Sequence, residues 1–342
     1  MKKKETFSFQ LYIVFLLTML LTLVLCICVG SVVLPVKDTL QVLQRAITGK
    51  PQEELEFAAS IILSVRLPRV VCVALIGAAL SVSGAAMQGL LKNPLADGST
   101  MGVSSGASLG AVFALAFHVR IPGISGGSTM IFAALGAFLS LLLILTLAYK
   151  LDSSLATNSI ILIGVIFSMF ANSISSLIIT FAGERVKTIT FWTMGSLQDS
   201  SFRNALILSV TLLLCSVILL SKATELNAFA IGEENARNIG VDVKKVKLTL
   251  LICISVLIGI AVSVSGTIAF VGLVTPHIVR MLVGANHKRL LPASMFGGAI
   301  FLLLCDLAAR TILNPRELPV GVITSFIGAV VFVIIFYSSR RR

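Results

Sequence analysis

The residues that could do chemistry in this chain are few, and a serine pattern is the first of them. Residues 102–106 read GVSSG, which matches the G-x-S-x-G pattern of a serine nucleophile, with Ser104 at its centre and His277 as a candidate base. That pattern needs a sharp turn from a strand into a helix, but here it opens an apolar run. We therefore favour a stripe of small residues for close helix packing over an intramembrane serine protease. The stripe consists of Gly102, Gly106 and Gly110.

The sequence shows neither the relay of ionisable groups expected of a proton-coupled carrier nor the phosphate-binding loop of a nucleotide-hydrolysing enzyme. Asp306 is the one carboxylate inside an apolar run, and it lies four residues before Arg310 on the same helix face. A local ion pair is favoured over a proton site, because proton-coupled carriers usually need a relay of ionisable groups. The chain has no G-x-x-x-x-G-K-[ST] loop to cradle ATP phosphates and no H-E-x-x-H zinc motif.

The six cysteines all lie inside or at the edge of apolar runs. We expect them to be free, buried thiols, and we expect no metal site and no cofactor.

Two further polar sets could line a path or bind a partner. Hydroxyl and amide side chains recur every four residues on one predicted helix, at Ser168, Asn172 and Ser176. Such a stripe either bonds neighbouring helices or lines a water-filled path, and the pattern leaves both open. Four arginines lie at span edges on one side, where they form a candidate docking surface for an acidic partner. They are Arg66, Arg69, Arg310 and Arg316.

A polar linker segment, residues 222–247, separates two long apolar regions. It is too charged to lie in hydrocarbon, where each ionised side chain costs about 3 kcal/mol or more. Apolar side chains recur in it at near-helical spacing, Gly232 interrupts the pattern, and Gly240 is a candidate C-terminal stop. We therefore predict two short helices that lie on one side of a membrane.

The elements that position these residues are membrane spans. The 342 residues are 57% hydrophobic and 12% charged, with a mean hydropathy of +1.02, whereas soluble chains carry about twice that charged fraction. Continuous apolar runs exclude a transmembrane barrel and predict an all-α polytopic protein with about ten spans of about 20 residues each. The runs are 11–33, 70–91, 100–117, 129–149, 160–181, 205–221, 248–264, 268–283, 293–309 and 320–337.

The charges orient these spans. The net charge of +12 comes from basic residues that flank the runs, which indicates a membrane protein rather than a nucleic-acid binder. An even number of spans with a modest basic excess on one side predicts that both termini are cytoplasmic. We interpret the first run as a retained span. The longest loop, 34–65, is then external, with a helix over 36–47 on the outer surface.

An internal repeat divides the chain. Residues 76–84 read IGAALSVSG and residues 258–266 read IGIAVSVSG, and in the same register Pro94 aligns with Pro276 and Gly102 with Gly284. Because the two copies cross the membrane in opposite directions, this predicts an inverted repeat, which is the architecture of many transporters. We expect one permease domain over 1–342, with repeat halves at about 66–181 and 248–338.

A series of motifs then indicates a family. The chain resembles the permease subunits of binding-protein-dependent ABC importers for iron siderophores, haem and cobalamin. The matching motifs run from about residue 60 to the C-terminus: RLPR at 66–69, GAAMQ at 84–88, NPLAD at 93–97, GVSSGA at 102–107, WTMGS at 192–196, GEENARNIG at 232–240, SGTIAFVGLVTPHIVR at 265–280, DLAAR at 306–310 and ELPVG at 317–321.

The resemblance implies a set of partners. This chain would be a ten-helix permease in a bacterial plasma membrane, with no enzymatic activity of its own. Two ATP-binding subunits would power it, an extracytoplasmic binding protein would deliver the cargo, and a second permease copy, identical or paralogous, would complete the path. The favoured cargo is a ferric siderophore, and cobalamin or haem is the alternative within the family.

The resemblance also implies roles for residues. The linker residues expected to couple to the ATPase are Gly232, Glu233, Glu234, Asn235, Ala236, Arg237 and Gly240. Within this set, the charged residues Glu233, Glu234 and Arg237 are predicted to provide the coupling contacts. Arg66, Arg69 and Arg310 are expected to face glutamates of the binding protein. The fifth and tenth spans are expected to line the path, with Thr157 and Asn158 at a cytoplasmic gate.

Three positions depart from the family pattern. Gly98 and Val330 stand where prolines are usual, and Arg316 stands before Glu-Leu-Pro where small residues are common. The first two put the local helix geometry in question, and Arg316 could tune the choice of partner.

Overall fold

The computed structural model describes residues 9–98, 101–121, 127–152 and 155–340, and the described chain is helical with no strand. Its helices are α1 (Phe9–Cys28), α2 (Val36–Thr48), α3 (Glu56–Ile61), α4 (Leu67–Leu91), α5 (Val103–Ala116), α6 (Gly127–Leu151), α7 (Thr157–Thr180), α8 (Val186–Thr193), α9 (Phe202–Ser221), α10 (Ala223–Ile231), α11 (Glu233–Asn238), α12 (Val243–Ser265), α13 (Val271–Val283), α14 (His287–Thr311) and α15 (Val320–Arg340).

Ten of these helices correspond to the ten predicted spans. Seven are long and apolar enough to cross a membrane, and α5, α13 and α15 hold shorter apolar stretches. The prediction of an all-α polytopic membrane protein is therefore confirmed. The predicted bounds shift at the termini: α1 ends at Cys28 rather than at 33, and α12 begins at Val243 rather than at 248.

Equivalent helices in the two halves make equivalent contacts. Helix α4 packs against α14 and α13, just as α12 packs against α6 and α5, and α4 and α12 also pack against each other. The first glycine of each repeated sequence lies at the matching contact. A Cβ at Gly77 would lie 2.3 Å from the carbonyl oxygen of Gly298 in α14, and one at Gly259 would lie 2.8 Å from the Cβ of Ala137 in α6.

The repeat ends sooner than the sequence match suggested. Residues 76–83 and 258–265 are helical in both copies, but Gly266 has φ +69° and terminates α12, whereas α4 continues to Leu91. Consequently Pro94 lies in a loop and its aligned partner Pro276 lies inside α13. The alignment of these prolines, and of Gly102 with Gly284, was wrong as a structural correspondence.

Small residues set how closely the helices approach. A Cβ at Gly84 would lie 1.9 Å from the carbonyl oxygen of Gly272, so α4 and α13 touch through their backbones. In the predicted stripe, Gly106 and Gly110 do the same for α5 against α6, with Ser140 and Phe132 as neighbours. The packing interpretation of that stripe is confirmed.

Two of the three departures from the family pattern, Gly98 and Val330, leave the neighbouring helices intact. Helix α15 runs through Val330 without a break. Gly98 lies in the loop between α4 and α5, where a Cβ would lie 2.9 Å from Cδ1 of Ile258.

Candidate functional site

A partly open cavity of about 440 Å³, with both polar and apolar lining residues, lies between α5, α7, the end of α8 and the segment between α12 and α13. Two residues of the predicted path stripe, Asn172 and Ser176, line it. The third, Ser168, lies about one turn before Asn172 on α7, donates a hydrogen bond to Gly164 O and does not line the cavity. The polar residues that line the cavity are Asp97, Ser104, Ser105, Ser108, Asn172, Ser175, Ser176, Thr193 and Thr267.

Interrupted helices create this cavity. Helices α5 and α13 are only 14 and 13 residues long, and each begins after a left-handed residue, Gly102 with φ 73° and Phe270 with φ 68°. Non-helical backbone within a membrane is tolerated where it is buried in protein or lines a water-filled cavity. The non-helical segments at 92–98 and 266–270 both border this cavity, since Gly98 and Ala269 line it.

The hydroxyl groups on the wall are not arranged for catalysis. Ser175, Ser176 and Thr193 donate their protons to carbonyl oxygens of their own helices, and Thr267 donates to Thr193 O. Within the described residues, Ser104 and His277 share no hydrogen bond, and α5 follows a turn instead of a strand. The geometry of a serine nucleophile elbow is therefore not formed.

The linker segment folds as two short helices, as predicted. Gly232, with φ 134°, separates α10 from α11, and Gly240, with φ 91°, follows α11. Leu226, Phe229 and Ala236 are fully buried, whereas Ile231 and Ile239 are 73% and 71% exposed. We call the end of the bundle that carries these helices the linker end. Its exposed face also includes Glu234, Asn235 and Arg237.

Glu233 turns inward from this face. Its Oε2 accepts a hydrogen bond from Lys247 Nζ at 2.7 Å, and its Oε1 accepts one from Thr157 Oγ1 at 3.1 Å. Burial by itself raises the pKa of Glu233, but the hydrogen bonds and charge of Lys247, with smaller contributions from Thr157 and Lys92, outweigh it and leave the pKa below its ordinary value. The structure thus brings a predicted coupling residue into contact with a predicted gate residue, while Asn158, next in the chain, is exposed.

Two functional candidates at the linker end were missed by sequence reasoning. Lys247 was counted as a flanking charge, yet its side chain is 1% exposed and also donates to Leu155 O at 3.0 Å. Asn227 of α10 accepts from the backbone N–H of His287 at 2.9 Å, and its Nδ2 donates to Asn286 Oδ1 at 2.9 Å. No pattern in the sequence singles out Lys247, because it is the last residue of the polar linker and directly precedes the apolar run at 248–264.

The opposite end, which we call the arginine end, holds a buried ion cluster. Arg69 Nε and Nη2 donate to Asp306 Oδ1 at 3.1 and 2.9 Å, and Arg69 Nη1 donates to Glu317 Oε2 at 2.8 Å. Arg310 Nε lies 2.9 Å from Asp306 Oδ2. That N–H is not aligned for a hydrogen bond, so the contact is an ion pair by distance alone. The predicted local pair of Asp306 and Arg310 is confirmed, and it is part of a larger cluster.

The predicted docking surface needs exposed guanidinium groups, and three of its four arginines do not provide them. Arg66, Arg69 and Arg310 are 4%, 7% and 3% exposed. Arg66 donates to the carbonyls of Ile27 and Cys28 at the end of α1. These three side chains bind acceptors of their own chain, and Arg316 alone of the four is exposed, so the docking role of the four arginines stays a prediction.

Comparisons with known proteins agree with this architecture. The profile of the FecCD transport family matches residues 17–338. An uncharacterized ABC transporter permease protein, YvrB of Bacillus subtilis, is 40% identical over 331 residues, which cover 96% of this chain and 94% of the relative. The hemin transport system permease protein HmuU of Yersinia pestis is 38% identical over 283 residues, 82% of this chain and 84% of the relative.

A solved structure is also similar. It is a metal-chelate type ABC transporter in an inward-facing conformation, with a TM-score of 0.85, 32% sequence identity and coverage of 96% of this chain and 99% of that one. Further relatives are described as permeases for iron chelatin, molybdate and cobalamin.

Proposed function

The chain belongs to the FecCD transport family, and from that premise we propose that it is the permease subunit of an ABC importer for an iron chelate of the ferric siderophore type. An extracytoplasmic binding protein delivers the cargo, and two ATP-binding subunits supply the energy. The chain lies in a bacterial plasma membrane with the linker end and both termini in the cytoplasm. Cobalamin or haem is the alternative cargo.

The observation that carries this proposal is the linker end. An exposed face with two isoleucines, a glutamate and an arginine lies on a pair of short helices, outside any span. Such a mixed apolar and charged surface suits a protein partner. The same helices contact the spans through Glu233 and Asn227, so that a partner bound there can bias the position of the spans.

The cavity supports transport rather than chemistry. Among the described residues, its wall offers hydroxyl and amide groups and the carboxylate of Asp97 but no activated nucleophile, and Asn172 and Ser176 lie on an exposed face of α7. A second copy of the chain against this face would enclose a path between the two cavities. Such a weakly binding path releases cargo easily, which a conduit requires.

The choice of iron rests on relatives. Permeases described for hemin and iron chelatin, and a metal-chelate type transporter, lie among the similar proteins, and molybdate and cobalamin permeases lie there too. The test is uptake by liposomes that contain the chain with its ATP-binding subunits and the binding protein encoded beside it. We expect ATP-dependent uptake of a ferric siderophore in preference to hemin, cobalamin or molybdate. Uptake of one of the other three alone would refute the iron assignment.

A further inference from the structure

One carboxylate at the linker end joins three chain segments that are far apart in sequence. Glu233, the first residue of α11, binds Lys247 of α12 through Oε2 and Thr157 of α7 through Oε1. Lys247 also donates to the carbonyl of Leu155, two residues before Thr157. The contacts close a ring that includes the linker, the start of the second half and the turn into α7.

Lys247 depends more strongly on these contacts than Glu233 does, because it is more deeply buried. Its side chain is 1% exposed, whereas that of Glu233 is 30% exposed. A buried ammonium has to be paired, because it has lost its hydration, while a partly exposed carboxylate can still be solvated. One acceptor of Lys247, the Glu233 carboxylate, belongs to the linker, and the other, the Leu155 carbonyl, belongs to the turn before α7. If α11 moves, Lys247 must either follow Glu233 or remain in a dry site without its counter-ion.

The turn that Lys247 holds is itself in an unusual conformation. Leu155 has φ 53°, the left-handed region that residues other than glycine seldom adopt, and its side chain is 3% exposed. Such a conformation persists where surrounding contacts over-determine it. The hydrogen bond from Lys247 to the Leu155 carbonyl is one such contact, and it lies next to Thr157.

We infer that Lys247 is a positioning residue that transmits movement of the linker helices to the turn at the start of α7. This inference rests on the proposed function, since the movement would come from an ATP-binding partner. The linker surface that meets the partner and the turn that gates the path are thus joined by one lysine and one glutamate. Without Lys247, only the hydrogen bond from Thr157 to Glu233 still joins α11 to the start of α7.

The first test measures coupling in the complete transporter, reconstituted in liposomes with its ATP-binding subunits and binding protein. Lys247→Met keeps the side-chain volume and removes the ammonium. We expect ATP hydrolysis to continue while the cargo moved per ATP falls about tenfold, within the usual range of coupling between sites. Lys247→Arg keeps a donor for both acceptors and should restore most of the ratio. Lys245→Met, at an exposed position on the same helix, is the matched control and should leave the ratio unchanged.

A second, more conservative variant tests the same ring with less risk of disturbing the fold. Thr157→Val removes only the hydroxyl that donates to Glu233 and leaves the pair of Glu233 and Lys247 in place. We expect a smaller fall in cargo moved per ATP. A wild-type ratio in Lys247→Met overturns the inference, and so does a fall in Thr157→Val that equals or exceeds the fall in Lys247→Met.

A second measurement needs no partner. Spin labels at Asn158→Cys and Asn238→Cys, both exposed in the wild type, report the distance between the start of α7 and α11 in the purified chain in nanodiscs. We expect one narrow distance distribution, and a broad one when Lys247→Met is added. An equally narrow distribution in that variant overturns the link, whatever the cargo is. Broadening in a chain that never supports ATP-driven uptake keeps the link and refutes the proposed function instead.

Discussion

The two ends of the bundle each hold buried basic side chains paired with carboxylates, but in different surroundings. At the arginine end, Asp306 is 0% exposed and is shared by Arg69 and Arg310, so that α4 and α14 are fastened to each other directly. At the linker end, Lys247 is equally buried, but its carboxylate partner is 30% exposed and belongs to a six-residue helix outside the spans.

This difference indicates which end can move. A fully buried cluster with several partners has no solvated state to change into, so separating its members is costly. A carboxylate at the edge of the protein can exchange its partner for water at much lower cost. We therefore expect the contact between α4 and α14 at the arginine end to act as a fixed point and the linker end to act as the moving part.

The largest effect is expected at Asp306. Asp306→Ala leaves two buried guanidinium groups without their shared counter-ion, and we expect it to destabilise the protein by about 3–5 kcal/mol. The measurement is the thermal unfolding of the purified chain in detergent.

The control is an exposed pair on the same chain. Arg45 and Glu54 are 2.8 Å apart, but the side chain of Glu54 is 80% exposed, so Glu54→Ala should cost about 0.5 kcal/mol or less. Equal stability of the two variants would remove the distinction between a dry cluster and a solvated pair.

The next effect is expected at Glu233. Glu233→Gln keeps the shape but leaves Lys247 with a neutral partner, and because Glu233 is partly exposed we expect a cost of about 1–3 kcal/mol. The cost should be smaller than that of Asp306→Ala in the same unfolding assay. A larger cost would make the linker end the more rigid of the two.

A smaller effect separates the two carboxylates of the arginine end. Glu317 is 18% exposed and accepts from Arg69 and from Gln198 Nε2 at 3.3 Å. In Glu317→Gln, Arg69 still has Asp306, so we expect a loss of only about 1 kcal/mol. If Glu317→Gln matched Asp306→Ala, the cluster would depend on the outer carboxylate, and its description as a buried core would be wrong.

The smallest effect is a pH dependence at the linker end. Because the folded pKa of Glu233 lies below its ordinary value, its contribution to stability is complete above the unfolded pKa of about 4.3 and is lost as the pH falls through the folded value. The stability difference between the wild type and Glu233→Gln should therefore be constant near neutral pH and shrink in acid. A difference that grows in acid would contradict the assigned contacts.

Much of the fold could be predicted because it depends on local patterns. Each of the ten apolar runs corresponds to a helix, seven of them long and apolar enough to span a membrane, and Gly232 and Gly240 mark the ends of the linker helices. The early end of the repeat could not be predicted, since Gly266 ends a helix while Gly84 sits inside one. The same residue type permits both a positive φ and a close helix contact, and only the packing partner decides between them.

The site was predictable in its parts but not in its connections. Sequence reasoning placed Glu233 and Thr157 separately and found the spacing of Asp306 and Arg310. It treated Arg66 and Arg69 as surface groups, because arginine at a span edge usually reaches water. Their burial depends on acceptors from distant segments, such as the carbonyl of Ile27 and the carboxylate of Glu317. Such long-range partners leave no periodic signal in the chain.

The most direct test of the account compares distances at the two ends in the complete transporter, with and without trapped nucleotide on the ATP-binding subunits. One spin-label pair, Val65→Cys with Ile312→Cys, lies just outside the arginine-end termini of α4 and α14, and both positions are exposed. The other pair, Asn158→Cys with Lys288→Cys, joins the start of α7 to the start of α14 at the linker end, and both positions are exposed. The account predicts that nucleotide changes the second distance and leaves the first unchanged. A change at the arginine end with a constant linker-end distance would contradict it.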